Sequence, residues 1–108
     1  MYILVTYVPP SHLESVKAAL FASGAGSMGS YDQCSFQTLG VGQYRPLKGS
    51  KPHSGEEGVV AEVDEWRLEM VVARSQAKAA LKALFASHPY EEVAYHLIAV
   101  LRDADLKE

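Results

Sequence analysis

The sequence predicts an α+β domain with the element order βαββαβ, the arrangement of a ferredoxin-like sandwich. Three observations predict this fold. Tyr2–Val8 is rich in β-branched and aromatic residues, as an initial strand requires. Trp66–Ala73 alternates in part between apolar and charged positions, which is typical of a half-buried strand. The pentapeptide Ala-Leu-Phe-Ala-Ser occurs at residues 19–23 and again at 83–87, which favours two βαβ-like halves.

The first half reads as a strand followed by a helix. Strand one, Tyr2–Val8, ends at two consecutive prolines, which cannot donate ladder hydrogen bonds. Ser11 and Glu14 have the spacing of a capping box, so helix one is predicted to begin at Ser11. Apolar residues recur on one helical face as far as Ser23, and the glycine that follows is typical of a helix end.

The middle of the chain, residues 24–58, contains all eight glycines and two of the five prolines. That density predicts turns and extended hairpins rather than another helix. Within it, Cys34–Tyr44 is expected to form a strand, a bend at the Gly-x-Gly of residues 40–42 and a short return strand. Lys48–Gly58 is expected to be an exposed loop.

The second half repeats the strand and helix. After the strand at Trp66–Ala73, a helix is predicted from Ser75 to His88, where the following proline stops it. Tyr95–Leu101 supplies the last strand, and the tail at residues 102–108 is expected to fray.

Length and composition limit the classes of function. With 108 residues the chain is predicted to form a single domain, residues 1–108. A net charge of -3 disfavours nucleic acid and anionic lipid as partners, and no apolar run is long enough to span a membrane. Residues 1–10 lack a basic leader pattern. The single cysteine, Cys34, excludes an internal disulfide, so a cytoplasmic location is predicted.

Helices on one side of an antiparallel sheet leave its other face bare. If Trp66 and Met70 point to that face, the apolar patch exceeds what a monomer typically exposes. The sequence therefore predicts self-association through sheet faces or edges.

Three motifs, GAGSMGSYDQCSF at residues 24–36, GVGQYRP at 40–46 and HPYEEVAY at 88–95, are distributed along most of the chain. Together they resemble the insert domain of the NIF-three-like family, also called YqfO-like. The HPYE core is similar to that of the CutA family, and the insert is related in fold to CutA and to the nitrogen-regulatory PII proteins. The resemblance implies a CutA/PII-like domain that packs as a homotrimer. It also implies that the dinuclear metal site of full-length members lies on a separate domain, so their hydrolase labels do not transfer to this chain.

The cluster at the end of helix two contains potential metal ligands. His88, Glu91 and Glu92 offer nitrogen and oxygen ligands within five residues, and Cys34 offers a thiolate, so zinc or another divalent metal is one interpretation. The other interpretation is local structure, with a proline ending the helix and the charged groups solvated. Cys34 on a strand also reads as a small packed side chain.

Ligand-binding candidates are aromatic and polar residues of the same motifs. Tyr31, Tyr90 and Tyr95 offer apolar surface with a polar tip for a shared pocket, although core packing explains them as well. Asp32 is a possible partner for the thiol. Arg45 lies where backbone amides of the glycine-rich run can form an anion nest, but that run follows a helix and is not a P-loop.

Three functions are compatible with these patterns. The first is a trimeric binding module for a small ligand, a divalent metal or a protein partner, with its sites between subunits. The second is a metal-dependent hydrolase using the ligands above, which is disfavoured because hydrolytic sites recruit ligands from several elements. The third is a purely structural assembly domain.

Overall fold

The computed structural model describes residues 1–107 as one four-stranded antiparallel sheet with two helices packed on one face. The elements are β1 (Tyr2–Val8), α1 (Leu13–Ala22), β2 (Phe36–Tyr44), β3 (Ala61–Val72), α2 (Ala77–Ser87) and β4 (Tyr95–Ala99). The strand order in the sheet is β2-β3-β1-β4. The predicted ferredoxin-like sandwich is confirmed. No helix within residues 1–107 has the length and hydropathy needed to cross a membrane.

A single 3-10 turn precedes each helix. The turn at Pro10–His12 leads into α1, so the prediction that the helix begins at Ser11 was wrong by two residues. The capping box does not form, because the Ser11 hydroxyl shares a hydrogen bond of 2.8 Å with Nδ1 of His12. The turn at Arg74–Gln76 leads into α2 in the same way.

Strands β2 and β3 are longer than the sequence patterns predict. β2 runs without a bend through its two glycines, and the return strand is β3, which begins at Ala61 and not at Trp66. Because β1 ends opposite Trp66, residues 61–65 and their partners 40–44 project as a two-stranded ribbon. This ribbon contributes to a longest extent of 53 Å against 28 and 23 Å in the other directions.

At the C-terminus, β4 ends at Ala99 rather than at Leu101. The tail contains a 3-10 turn at Asp103–Asp105, where the Asp105 carboxylate accepts a hydrogen bond from the Arg102 amide. Of the tail predicted to fray, Glu108 lies outside the described residues.

The repeated pentapeptide occupies equivalent positions in the two helices. Leu20 in α1 and Leu84 in α2 are both completely buried in the same core. The hydroxyls of Ser23 and Ser87 each donate to a carbonyl one turn earlier, at Leu20 (2.6 Å) and at Ala83 (2.8 Å). The echo thus marks two equivalent helix ends.

The face of the sheet away from the helices differs from the prediction. Trp66 and Met70 pack on the helix side, so the expectation that they cover the bare face was wrong. Strand alternation instead places apolar and charged residues together on the bare face. Its members are Ile3, Val5, Tyr7, Phe36, Val71 and Ile98 with Glu65, Arg67, Glu69 and His96. The face is mixed and not uniformly apolar.

Candidate functional site

His88 is fixed where α2 ends. Pro89 disfavours helical geometry at the preceding residue, and the backbone of His88 is accordingly extended, with φ -80° and ψ 136°. The residue is buried, with 6% of its surface exposed. The Tyr90 amide donates to Nδ1 (3.1 Å), so Nε2 carries the proton and donates to the carbonyl of Tyr7 (2.7 Å). The neutral ring therefore links the end of β1 to the segment that follows α2.

The surroundings of His88 favour its neutral form. Burial lowers its pKa below the ordinary value of 6.5, against the smaller opposing effects of the Tyr7 carbonyl and the Glu65 carboxylate. The nearby His12 and His53 act in the same direction as burial. At neutral pH the ring is thus held uncharged with both nitrogens occupied.

Four aromatic rings from three segments form a continuous stack beside His88. The ring of His12 meets that of His53 edge-on at 5.6 Å between centroids, and His53 lies 5.8 Å from Tyr90. Tyr90 in turn meets His88 edge-on at 4.7 Å. We call His12, His53, His88 and Tyr90 the imidazole cluster. It brings together the turn before α1, the segment between β2 and β3, and the segment after α2.

Glu65 joins this cluster to the ribbon. Burial and the adjacent Glu65 carboxylate raise the pKa of the Tyr90 hydroxyl above its usual value of 10.0, so the phenol stays protonated. On its other side, the Glu65 side chain lies over Gly42, where a Cβ atom would sit 2.6 Å from the Glu65 Cδ. The Glu65 side chain can occupy this position because Gly42 has no side chain.

An open cleft of about 410 Å³ runs along the bare side of the ribbon. It is lined by Tyr7, Thr38, Leu39, Gly40, Val41, Gly42, Gln43, Glu65 and Arg67. Glu65 is shared between the cleft and the imidazole cluster. Arg67, 3.4 Å from the Glu69 carboxylate, supplies a cation at the cleft wall. Together, the cleft and the imidazole cluster present both hydrogen-bond donors and hydrogen-bond acceptors beside the unpaired backbone of β2.

The predicted metal ligands do not converge in the described chain. Both ring nitrogens of His88 are already hydrogen-bonded. Both carboxylate oxygens of Glu91 share the N–H of the Lys51 amide (3.1 and 3.2 Å), and Glu92 is exposed. Cys34 lies elsewhere, in the segment before β2, with its thiol 3.6 Å from the Asp32 carbonyl. Within residues 1–107, no group of three or more His, Cys, Asp or Glu side chains has the geometry of a metal site.

The predicted ligand-binding residues are dispersed. Tyr31 is 76% exposed, and Asp32 lines a separate shallow cavity beside α1. Arg45 is exposed just past the end of β2. Tyr95 begins β4 and stacks edge-on with Phe85 at 5.4 Å. Of the five residues, Tyr90 alone belongs to the imidazole cluster.

Sequence reasoning missed three members of this site. His12, His53 and Glu65 are not among the site residues predicted from the sequence. These residues come from the turn before α1, the segment between β2 and β3, and β3 itself. No short motif links them, because the fold alone brings them together.

Known proteins resemble this chain over one part of their own length. The chain is 47% identical over 97 residues to the GTP cyclohydrolase 1 type 2 homolog of Bacillus subtilis, covering 90% of this chain and 26% of the relative. It is 44% identical over 98 residues to the protein of the same name from Mycobacterium tuberculosis, again covering 90% and 26%. The chain thus spans about a quarter of the length of these curated relatives. No protein-family model matches it.

Solved structures give the fold. A Bacillus cereus protein related to NIF3 superposes with a TM-score of 0.78 at 36% identity, covering 90% of this chain and 24% of that one. The PII-like protein CutA from Nostoc superposes with a TM-score of 0.69 at 20% identity, covering 98% and 86%. The sequence match to one part of a longer protein and the structural match to nearly all of a CutA confirm the resemblance predicted from the three motifs.

Proposed function

We propose that this chain, a homologue of one domain of the NIF-three-like family with the fold of CutA, is a homotrimeric binding module acting in the cytoplasm. Residues 1–108 form its single CutA/PII-like unit. Its ligand is a small molecule, a divalent metal or a protein partner, bound where the imidazole cluster meets the ribbon cleft.

The projecting ribbon is the main observation that supports a trimer. Its outer strand β2 has a partner on one side only, which leaves a nine-residue edge unpaired. Leu39 and Val41 on this strand are 52% and 69% exposed. Unpaired edges with apolar side chains invite association, and natural monomers usually protect them. A sister copy that covers this edge removes the exposure in every subunit.

The position of the ribbon also supports binding at the same place. The cleft and the imidazole cluster lie at the base of the ribbon, so a copy seated on β2 adds a second wall to an open groove. Sites between subunits combine a rigid sheet with adaptable loops, which is where binding groups are commonly found. Glu65, Arg67 and Tyr90 supply an acceptor, a cation and a phenol there.

The cyclohydrolase in the relatives' name is not part of this proposal. The chain spans only about a quarter of those proteins. The metal ligands predicted from the sequence are separated or already hydrogen-bonded. A metal bound at this domain would therefore need donors from a second copy or a rearranged His88.

Light scattering on the purified chain at micromolar concentration tests the assembly. We expect three times the mass of the chain for the native sequence. Val41→Glu places a charge in the proposed interface and should lower that mass, whereas Ala79→Glu, which adds the same charge at an exposed position of α2, should keep it. A native chain that stays monomeric over this range refutes the trimer.

Native mass spectrometry of untreated protein tests the binding function separately. The subunit number and any co-purified mass are read from the same spectrum. A retained mass that survives in Ala79→Glu and disappears in Tyr90→Ala supports a ligand at the proposed site. A trimer that carries no mass, and takes up none from zinc added alone, supports a purely structural assembly domain instead.

A further inference from the structure

Two glycines interrupt strand β2 on the side of the sheet that faces the cleft. Neither has a positive φ, so the backbone conformation does not require glycine at either position. Glycine weakens a strand, and within one it often marks the close approach of another group. Gly42 is explained by the Glu65 side chain, which a Cβ at position 42 would overlap. A Cβ at position 40 would meet nothing within 4 Å, so no contact within residues 1–107 accounts for Gly40.

Gly40 lies beside two opposite charges on β3. It pairs directly with Glu65, and Arg67 lies diagonal to it, paired with Thr38. Residues two apart on a strand share a face, and their Cα atoms are about 6.6 Å apart. Both charged side chains line the cleft together with Gly40. The missing side chain at position 40 thus leaves room for a bound group next to a carboxylate and a guanidinium.

These two charges form no ion pair with each other in the part of the chain that the structure describes. Arg67 lies between Glu65 and Glu69 on one face of β3, and of the two carboxylates it contacts only that of Glu69, at 3.4 Å. The Arg67 side chain is 52% exposed. A guanidinium has several N–H donors, so this single contact leaves others available to a carboxylate. Glu65 lies over Gly42 instead, and the space above Gly40 stays open.

The cleft therefore matches a small ligand that has a positive and a negative group close together. An ammonium group can donate to the Glu65 carboxylate, and a carboxylate can accept two parallel hydrogen bonds from the Arg67 guanidinium. The Tyr7 ring, also in the cleft wall, offers apolar surface to the carbon atoms of the ligand. The cleft volume of about 410 Å³ lies within the range of about 300–1,000 Å³ that is usual for small-molecule sites.

We infer that the ribbon cleft binds a free α-amino acid, with its ammonium group at Glu65, its carboxylate at Arg67 and its α-carbon over Gly40. The inference rests on the binding function proposed above and names the class of its ligand. An α-amino acid has both charges on one carbon, which suits two opposite charges two residues apart on one strand face. A ligand with a single charge leaves either Glu65 or Arg67 without a partner.

NMR titrations of the native chain with each of the twenty standard amino acids at millimolar concentration test the inference. We expect at least one of them to shift the Gly40 amide signal in a saturable way. Its N-acetyl derivative lacks the ammonium group, and its carboxamide lacks the carboxylate. Each derivative should bind at least about tenfold more weakly, because a hydrogen bond to a charged group is lost.

Three substitutions locate the ligand. Glu65→Gln should weaken binding at least about tenfold and remove the preference over the N-acetyl derivative. Arg67→Gln should do the same for the preference over the carboxamide. Gly40→Ala should abolish binding, because its methyl group fills the space for the ligand without meeting any atom of the chain itself. Glu14→Gln, which removes an 82% exposed carboxylate on α1, should bind like the native chain.

A native chain whose Gly40 signal responds to none of the twenty overturns the inference. Binding that Glu65→Gln, Arg67→Gln or Gly40→Ala leaves at native strength also overturns it. If one of these variants does not fold, the two derivatives on the native chain still decide. Light scattering on the same samples separates this result from the proposed function. A trimer that binds no amino acid refutes the ligand class alone, whereas a monomer that binds none refutes both.

Discussion

The contact between Glu65 and Gly42 can be tested by two matched substitutions. Gly40 and Gly42 lie on the same side of β2, two residues apart, and neither has a positive φ. A Cβ at position 40 meets nothing within 4 Å, whereas one at position 42 overlaps the Glu65 carboxylate. Gly40→Ala therefore measures the backbone effect of alanine, and Gly42→Ala measures that effect plus the displacement of Glu65.

The two substitutions are expected to change the free energy of unfolding differently. Alanine in place of glycine within a strand stabilises by about 0.5–1 kcal/mol, which is the whole effect expected for Gly40→Ala. At position 42 the new Cβ overlaps the Glu65 side chain and displaces it, and forcing extra atoms into a filled space typically costs about 1–3 kcal/mol. Because Glu65 is a flexible side chain that regains solvation, the lower end applies, and Gly42→Ala should be less stable than Gly40→Ala by about 1 kcal/mol.

Urea unfolding at one protein concentration gives both free energies, provided that light scattering shows the same assembly for each variant. The pKa of His88 offers a second measurement, because the Glu65 charge raises it. NMR titration of the His88 ring should show a lower pKa in Gly42→Ala and an unchanged pKa in Gly40→Ala. Equal stabilities and equal His88 pKa values for the two variants would contradict the role given to Gly42.

Three further predictions concern the core, acid stability and the thiol. Leu84→Ala, at a fully buried position, should cost about 2–5 kcal/mol in urea unfolding, while Phe85→Ala at a half-exposed position should cost much less. Because burial lowers the pKa of His88, the unfolded chain binds the proton more tightly. The contribution of His88 to the free energy of unfolding should be complete above about pH 6.5 and fall as the pH decreases towards the lower pKa of the folded chain. Urea titrations at several pH values measure this slope, which His88→Gln should remove and His96→Gln should keep. Cys34→Ser should change the free energy of unfolding by less than about 1 kcal/mol, because the residue is only partly buried and the hydrogen bond of its thiol is long and weak; a larger loss would show tighter packing.

The sequence was sufficient to predict those secondary-structure elements that are determined by their local residue pattern. The bounds of β1 follow from its composition and the two prolines. The alternation at Trp66–Val72 correctly separates the residues of β3 into two faces, although the sequence did not show that the face with Trp66 and Met70 packs against the helices. The glycines of β2 were misread as a bend, because glycine signals either a turn or a close approach and only tertiary structure distinguishes them. At Gly42 the reason is the side chain of Glu65 on the neighbouring strand.

The site could be predicted only in part for a similar reason. His88 and Tyr90 stand in one motif, so their importance is visible in the sequence. His12 and His53 join them through contacts between separate segments, and neither has a distinguishing local pattern. The two nitrogens of His88 also could not be assigned without knowing that the Tyr7 carbonyl and the Tyr90 amide occupy them.

The internal echo indicates why the imidazole cluster lies where it does. The spacing that relates Leu20 to Leu84 also relates Gly24 to His88, so these two residues occupy equivalent ends of α1 and α2. At the first end, Gly24 has a φ of +100° and the Gln76 side chain packs over it. At the second end the chain is extended into a proline, and a buried imidazole fills the space. The two halves share a core but differ at this junction, and the difference creates the one place where three histidines meet.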